Sequence, residues 1–250
     1  VDLKLDGHVA IVTGASRGLG EHAALALVRE GARVLAVARS GDALARLADA
    51  HPGSIVARTC DMRDRETLAQ LPALAREHFG RLDIVVNNAG IAPACDFLQV
   101  TPEALDEVMD VNVIGPAILS RAAAAAFIEQ GRRGSIINVA SISGIRGKPT
   151  LAAYSASKAA LIRMSEALAG EWARHDIQVN VIAPGGFITD AQRAVLDDPE
   201  MLKARIRKIP ARRMADPSEI GVAICMLASP ESRFMTGSVI VIDGGEAAKI

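Results

Sequence analysis

Short runs of apolar, largely β-branched residues recur along the chain at 9–12, 34–37, 55–56, 82–86, 136–139, 179–182 and 239–242. Each is too short for a helix and apolar on both faces, the pattern of strands buried from both sides in a parallel sheet. Between them lie amphipathic stretches of about 10 to 25 residues, the usual length of right-handed β-α-β crossovers. The pattern predicts an α/β protein: a doubly wound parallel sheet of about seven strands with helices on both faces. One helix has a clear start, Thr101 as N-cap followed by Pro102 at the first helical position. Pro72 falls inside the segment 66–79, which predicts a helix that is kinked there or begins late. The least regular stretch, 184–217, carries a short predicted helix at 200–208 and is expected to cover a site as a substrate loop at about 185–215. No repeat or linker divides the sequence, so residues 1–250 are expected to form a single domain.

The first strand runs into residues 13–20 (TGASRGLG) and then opens a helix. Gly14, Gly18 and Gly20 let the backbone turn tightly and approach a pyrophosphate, whose charge the helix N-terminus meets. An acidic residue at the end of the second strand binds an adenosine ribose diol, whereas arginine accommodates a 2′-phosphate. Here that position reads Ala38-Arg39, and Arg17 lies in the glycine turn. Two guanidiniums favour NADP(H), with NAD(H) the lesser alternative. Asp42 is the residue through which NAD(H) would enter.

Charge narrows the partners. With 28 basic and 29 acidic residues, the formal net charge is -1, which gives no electrostatic footprint for nucleic acid or an anionic membrane. Cys60, Cys95 and Cys225 are few and far apart, so neither a disulfide frame nor a metal site is expected. Cys60 reads as a small buried hydrophobe. No apolar run of 18 residues and no leader pattern is read, and a cytoplasmic protein is expected.

The chain has one tyrosine, Tyr154, four residues before Lys158. On a helix that spacing puts both side chains on one face. An ammonium ~4 Å from a phenol, at an effective dielectric of ~20, contributes about 4 kcal/mol, or roughly three pKa units towards the phenolate. The alternative is an ordinary helix face with a solvated lysine.

In order and spacing, residues 13–20, Cys60 to Met62, 87–90 (NNAG), Asn112, Ser141, Tyr154 with Lys158, and Pro184-Gly185 with Thr189 resemble the short-chain dehydrogenase/reductase family over essentially the whole chain. The resemblance implies a Rossmann-type fold, a nicotinamide cofactor and four catalytic positions at Asn112, Ser141, Tyr154 and Lys158. Ser141 would donate to the substrate oxygen, Tyr154 would carry the proton, and Lys158 would lower the phenol pKa and hold the nicotinamide ribose. Asn112 would hold a water through its carbonyl. Contacts to the cofactor would come from Gly14, Ser16, Arg17, Gly18, Leu19, Gly20 and Arg39; from Asp61 and Met62 beside the adenine; from Asn88, Ala89 and Gly90; from Tyr154 and Lys158; and from Pro184, Gly185, Phe187 and Thr189.

The frame is similar to 3-oxoacyl-carrier-protein reductases and sugar-acid keto reductases. It implies ketone–alcohol interconversion on a small molecule and a homotetramer, the latter also favoured by the small residues Ala122 to Ala126, Ala156, Ala159 and Ala160. Pocket-lining positions such as Ala92, Pro93, Ile142, Ser143, Leu151, Gly186 and Phe187 are small or apolar, and Arg146 and Lys148 are candidates to meet an anionic substrate. An NAD-preferring polyol or sugar-acid dehydrogenase and a non-catalytic NADPH-binding regulator are the alternative readings.

Overall fold

The structure, a computed structural model, describes residues 2–248. Its strands are β1 (Val9–Thr13), β2 (Arg33–Ala38), β3 (Ile55–Thr59), β4 (Ile84–Asn87), β5 (Gly134–Val139), β6 (Ile177–Pro184) and β7 (Val239–Ile242). They form one parallel sheet in the order β3-β2-β1-β4-β5-β6-β7. Alternate side chains feed two cores. Ala10, Val12, Val34, Ile84 and Ile137 face helices α1 (Gly18–Arg29), α2 (Gly41–Ala50) and α9 (Ile220–Ala228). Val9, Ile11, Leu35, Val85 and Ile136 face α3 (Arg65–Phe79), α5 (Gly115–Glu129) and α6 (Ala152–Trp172). This is the Rossmann-type doubly wound arrangement that the alternating runs predicted.

Two local expectations change. Helix α3 does not begin late: Asp64 caps it, accepting from the Thr67 backbone at 3.0 Å, and the helix runs from Arg65 past Pro72 to Gly80. Proline at that depth forfeits one helical hydrogen bond; burial of Leu68, Leu71, Pro72 and Ala75 on one face offsets it. Strand β3 extends to Thr59, beyond the two apolar residues that announced it, because it lies at the sheet edge, where Ala57, Arg58 and Thr59 are exposed.

Helix α4 (Pro102–Met109) starts at Thr101 as predicted, with the threonine side chain accepting from the Ala104 backbone at 3.2 Å. It continues through a π-helical turn (Asp110–Ile114) into α5. This stretch, Pro102–Glu129, is long and apolar enough by composition to cross a membrane, yet 61% of its apolar window is buried inside the fold. The apolar character therefore matches its packing on α3 and the sheet. Helix α7 (Arg193–Leu196) and the predicted helix α8 (Pro199–Lys208), capped by Asp198, occupy the segment after β6.

Candidate active site

Because the strands are parallel, their carboxyl ends lie along one edge of the sheet. The crossovers diverge at β1, which has β2 on one side and β4 on the other, and such a switch point opens a crevice for a ligand. Thr13, a residue that sequence reasoning passed over, ties this crevice together. Its buried Oγ1 accepts from the backbone N–H groups of Asn88 (3.0 Å) and Ala89 (3.1 Å) and reaches the Val86 carbonyl at 3.4 Å. The Asn88 amide in turn donates to the Thr13 carbonyl at 3.0 Å. A side chain added at Gly20 would stand 2.2 Å from the Gly14 carbonyl oxygen and 2.4 Å from Asn88 Nδ2, so helix α1 reaches the turn only through glycine.

Around that turn, Gly14 and Gly18 have φ of +67° and +57°, Ser16 and Leu19 are half-buried, and the Thr189 methyl lies against Gly18. The backbone of Ala15 donates to the Val37 carbonyl, bringing the turn beside the end of β2. Arg17 and Arg39 are both exposed there. Among the described residues, these backbone donors, the α1 N-terminus and the two cations fit a phosphorylated dinucleotide. Arg63 engages the Asp61 carboxylate with bonds of 2.9 and 3.1 Å and holds its pKa low, aided by Arg39. Met62 is buried, packed against Gly115.

Past β5, Ser141 and Tyr154 come together although 13 residues separate them. The short turn Ile142–Gly144 packs straight onto the backbone of α6, where a Cβ on Gly144 would lie 2.7 Å from the Lys158 carbonyl carbon. Ser141 hydrogen-bonds the Tyr154 hydroxyl and also accepts from the Ser143 backbone at 3.0 Å, so it both caps the turn and touches the phenol. Lys158 lies on the same helix face, as the spacing predicted, with Nζ 5.8 Å from the Tyr154 ring centroid.

The Lys158 Nζ is anchored on the Val139 carbonyl at 2.8 Å and lies over the Tyr154 ring. Burial raises the Tyr154 pKa, the Ser141 bond opposes it, and burial lowers Lys158 to about 8. Asn112, fully buried in the π-helical turn, spends its side chain on the backbone of Ile91 (2.9 Å in each direction) and on Ser157 (3.0 Å). It thereby locks the Asn88-Ala89-Gly90 loop to α6. A second buried network joins Asn87 to Ser120 and Asn138, and Asn138 to Ser165.

Residues 14–246 match the sequence model described as enoyl-(acyl carrier protein) reductase. The chain belongs to the short-chain dehydrogenase/reductase family. It is 35% identical over 246 residues to the 3-oxoacyl-acyl-carrier-protein reductase of Thermotoga maritima, covering 97% of this chain and 99% of that protein. It is 34% identical over 247 residues to the 2-dehydro-3-deoxy-D-gluconate 5-dehydrogenase of Escherichia coli, covering 98% and 97%. Among solved structures, a proposed 2-deoxy-D-gluconate 3-dehydrogenase from Agrobacterium tumefaciens with bound NADP matches with a TM-score of 0.90 at 33% identity, over 99% of both chains.

In this dehydrogenase/reductase, the segment after β6 departs from the predicted pocket in two ways. The Phe187 side chain is packed in the core and its backbone bridges Ala215, so it does not line an open pocket with Gly186. Lys148 is not a free cation at the mouth: Glu246 takes it at 3.4 Å and Arg205 of α8 at 2.7 and 2.8 Å. Arg146 also has interactions of its own. Pro184 ends β6, and Gly185 lies against Asp243, so the turn after β7 buttresses the loop after β6.

Proposed function

We propose that the enzyme is an NADP-dependent oxidoreductase that interconverts a ketone and a secondary alcohol, with Tyr154 as the acid/base and Asn112, Ser141 and Lys158 as the other catalytic residues. The observation that carries this reading is the Ser141–Tyr154–Lys158 cluster, joined by one hydrogen bond and one helix face at the carboxyl edge of the sheet. The bound nicotinamide supplies hydride chemistry. The glycine turn with Arg17 and Arg39 would hold its phosphates; Asn88 to Gly90 would flank its riboses, and Pro184, Gly185 and Thr189 its carboxamide end.

Ser141 donates to the substrate oxygen as charge develops there, which requires it to exchange its present partners for that oxygen. Tyr154, its pKa raised by burial, is protonated at neutral pH and suited to giving a proton to that oxygen in ketone reduction. The reverse reaction needs the phenolate and is favoured by alkaline pH. Lys158 uses one of its three donors on Val139, which leaves two for the ribose hydroxyls. Asn112 positions the loop and the helix that carry these groups.

The segment 185–215 is the substrate loop of a single domain, and the substrate is a small carbonyl compound or alcohol. The protein works in the cytoplasm as a homotetramer. Ala123, Ala124 and Ala126 pack on the protein's own core, so the interface reading rests on the exposed Ala125, Ala156 and Ile128 of α5 and α6.

The test is Tyr154→Phe, assayed by NADPH absorbance over acyl thioesters, keto sugar acids, steroids and cyclic diketones. Turnover falls by more than tenfold while NADPH binding persists. A variant that keeps more than a tenth of the rate at saturating substrate overturns the acid/base assignment.

A further inference from the structure

At the amino ends of the strands, across the sheet from the proposed active site, His8, Arg81, Asp83, Arg132, Arg133 and Pro230 line a cavity of about 160 Å³. These residues come from three neighbouring strand entries: His8 precedes β1, Arg81 and Asp83 precede β4, and Arg132 and Arg133 precede β5. Strands of four to six residues at ~3.3 Å each put roughly 13 to 20 Å between this cavity and the cofactor edge.

The charge balance of the lining is positive. Asp83 is the one carboxylate in it, and it is already committed: one oxygen accepts from the Val9 backbone at 2.9 Å and the other from Arg81 at 2.6 Å. Among the described residues no salt bridge reaches Arg132 or Arg133, and Asp176 and Asp83 act on Arg133 only through space. Arg133 is fixed by bonds to the carbonyls of Ala228 (3.2 Å) and Ser229 (2.9 Å), so its guanidinium is held in place. Burial depresses its pKa.

Five buried side-chain polar atoms among the described residues lack a partner, and three of them, His8 Nδ1, Arg81 Nε and Arg133 Nε, belong to this lining. Buried donors without partners are costly and call for a reason. Apolar surroundings would explain none of the three. Their own accessible surface is near zero, so an anion in the cavity meets instead the other N–H groups of the lining guanidiniums, which form charge-assisted bonds with phosphate oxygens. The volume holds several waters, and hence an oxyanion.

We propose that this cavity is a binding site for a tetrahedral oxyanion, phosphate either free or as the terminal group of a phosphorylated metabolite. Arg81, Arg132 and Arg133 provide the charge and His8 a further donor. The site is separate from the proposed cofactor cleft, and its occupancy stabilises the fold by bracing the entries of β1, β4 and β5.

The experiment titrates the full chain with inorganic phosphate at constant ionic strength, following Tm and binding heat, and compares wild type with Arg132→Ser and Arg132→Lys. Arg132 is exposed and follows α5, so its replacement leaves the core intact. Phosphate at the glycine turn is untouched by either change, so the difference between proteins isolates this cavity.

Wild-type Tm rises by roughly 5 °C or more at a hundredfold excess over Kd. Serine weakens phosphate binding at least tenfold, lysine restores much of it, and turnover with NADPH is unchanged in both. An equal phosphate response in wild type and Arg132→Ser, or an equal Tm rise from chloride alone, overturns the proposal. Glycerol 3-phosphate distinguishes the sources: tighter binding than inorganic phosphate assigns the site to a phosphorylated metabolite, and weaker binding assigns it to free phosphate.

Discussion

Replacing Thr13 by valine keeps the shape of a fully buried side chain and deletes one hydroxyl. That hydroxyl serves two backbone N–H groups, of Asn88 at 3.0 Å and Ala89 at 3.1 Å. The third contact, to Val86 at 3.4 Å, is long and contributes little. A donor stranded out of water costs about 1–3 kcal/mol. Since Asn88 and Ala89 are half-buried, the lower part of that range applies, giving about 2–4 kcal/mol for the pair. Against a typical total of about 5–15 kcal/mol this is a large share.

Urea unfolding at fixed protein concentration measures the loss, since association alters the midpoint. Thr13→Ser is the control, because it retains the acceptor and gives up one methyl group, for about 1 kcal/mol. Cofactor affinity follows the same order: the clamp holds the β4 end against the glycine turn, and valine weakens NADPH binding about tenfold. A valine variant within 1 kcal/mol of wild type, or a serine variant as unstable as valine, refutes the account.

Lys158→Met abolishes turnover and raises stability at neutral pH by about 3 kcal/mol, because the lysine pKa falls from 10.5 to about 8 on burial. A depressed lysine pKa means that the folded state binds fewer protons, so the wild-type penalty is full below pH 8 and fades between pH 8 and 10.5; the two proteins converge there in thermal melts, and a constant gap refutes the assignment. Replacing Ala38 by Asp and Arg39 by Ser reverses the cofactor preference from NADP(H) to NAD(H), read as the ratio of kcat/KM. A charge-assisted bond of about 1.5–3 kcal/mol corresponds to roughly ten- to a hundredfold, and a wild type that already favours NAD(H) sinks the prediction. Light scattering gives the mass of four copies of the 26.2 kDa chain at micromolar concentration, and a monomer mass contradicts the proposed interface.

The strands were legible because a sheet covered on both faces demands unbroken Val and Ile runs, and the Tyr154–Lys158 pairing because helical spacing is a property of the local chain. What happens to Lys158 was not legible. Its partner, the Val139 carbonyl, is 19 residues away on another element, and burial depends on the whole fold. Thr13 escaped notice for the same reason: its acceptor role exists only through a register that sets β1 beside β4. Pro72 left the start of α3 open between two readings because propensity acts locally, while the buried face that carries the helix from Arg65 acts through tertiary packing. Lys148 and Glu246 are 98 residues apart, so the neutralisation of that lysine has no local signature.

Of all neighbouring strands, β1 and β4 are the farthest apart along the chain, as the bond between Val9 and Asp83 across 74 residues illustrates. Closing that loop carries a larger entropic cost than joining β1 to β2, and the cleft is built on the same seam. A molecule lodged between the glycine turn and residues 88–90 therefore acts as a removable staple across the longest closure in the sheet. The resistance of the chain to unfolding and proteolysis then becomes a readout of how full the cleft is, independent of whether any substrate is turned over.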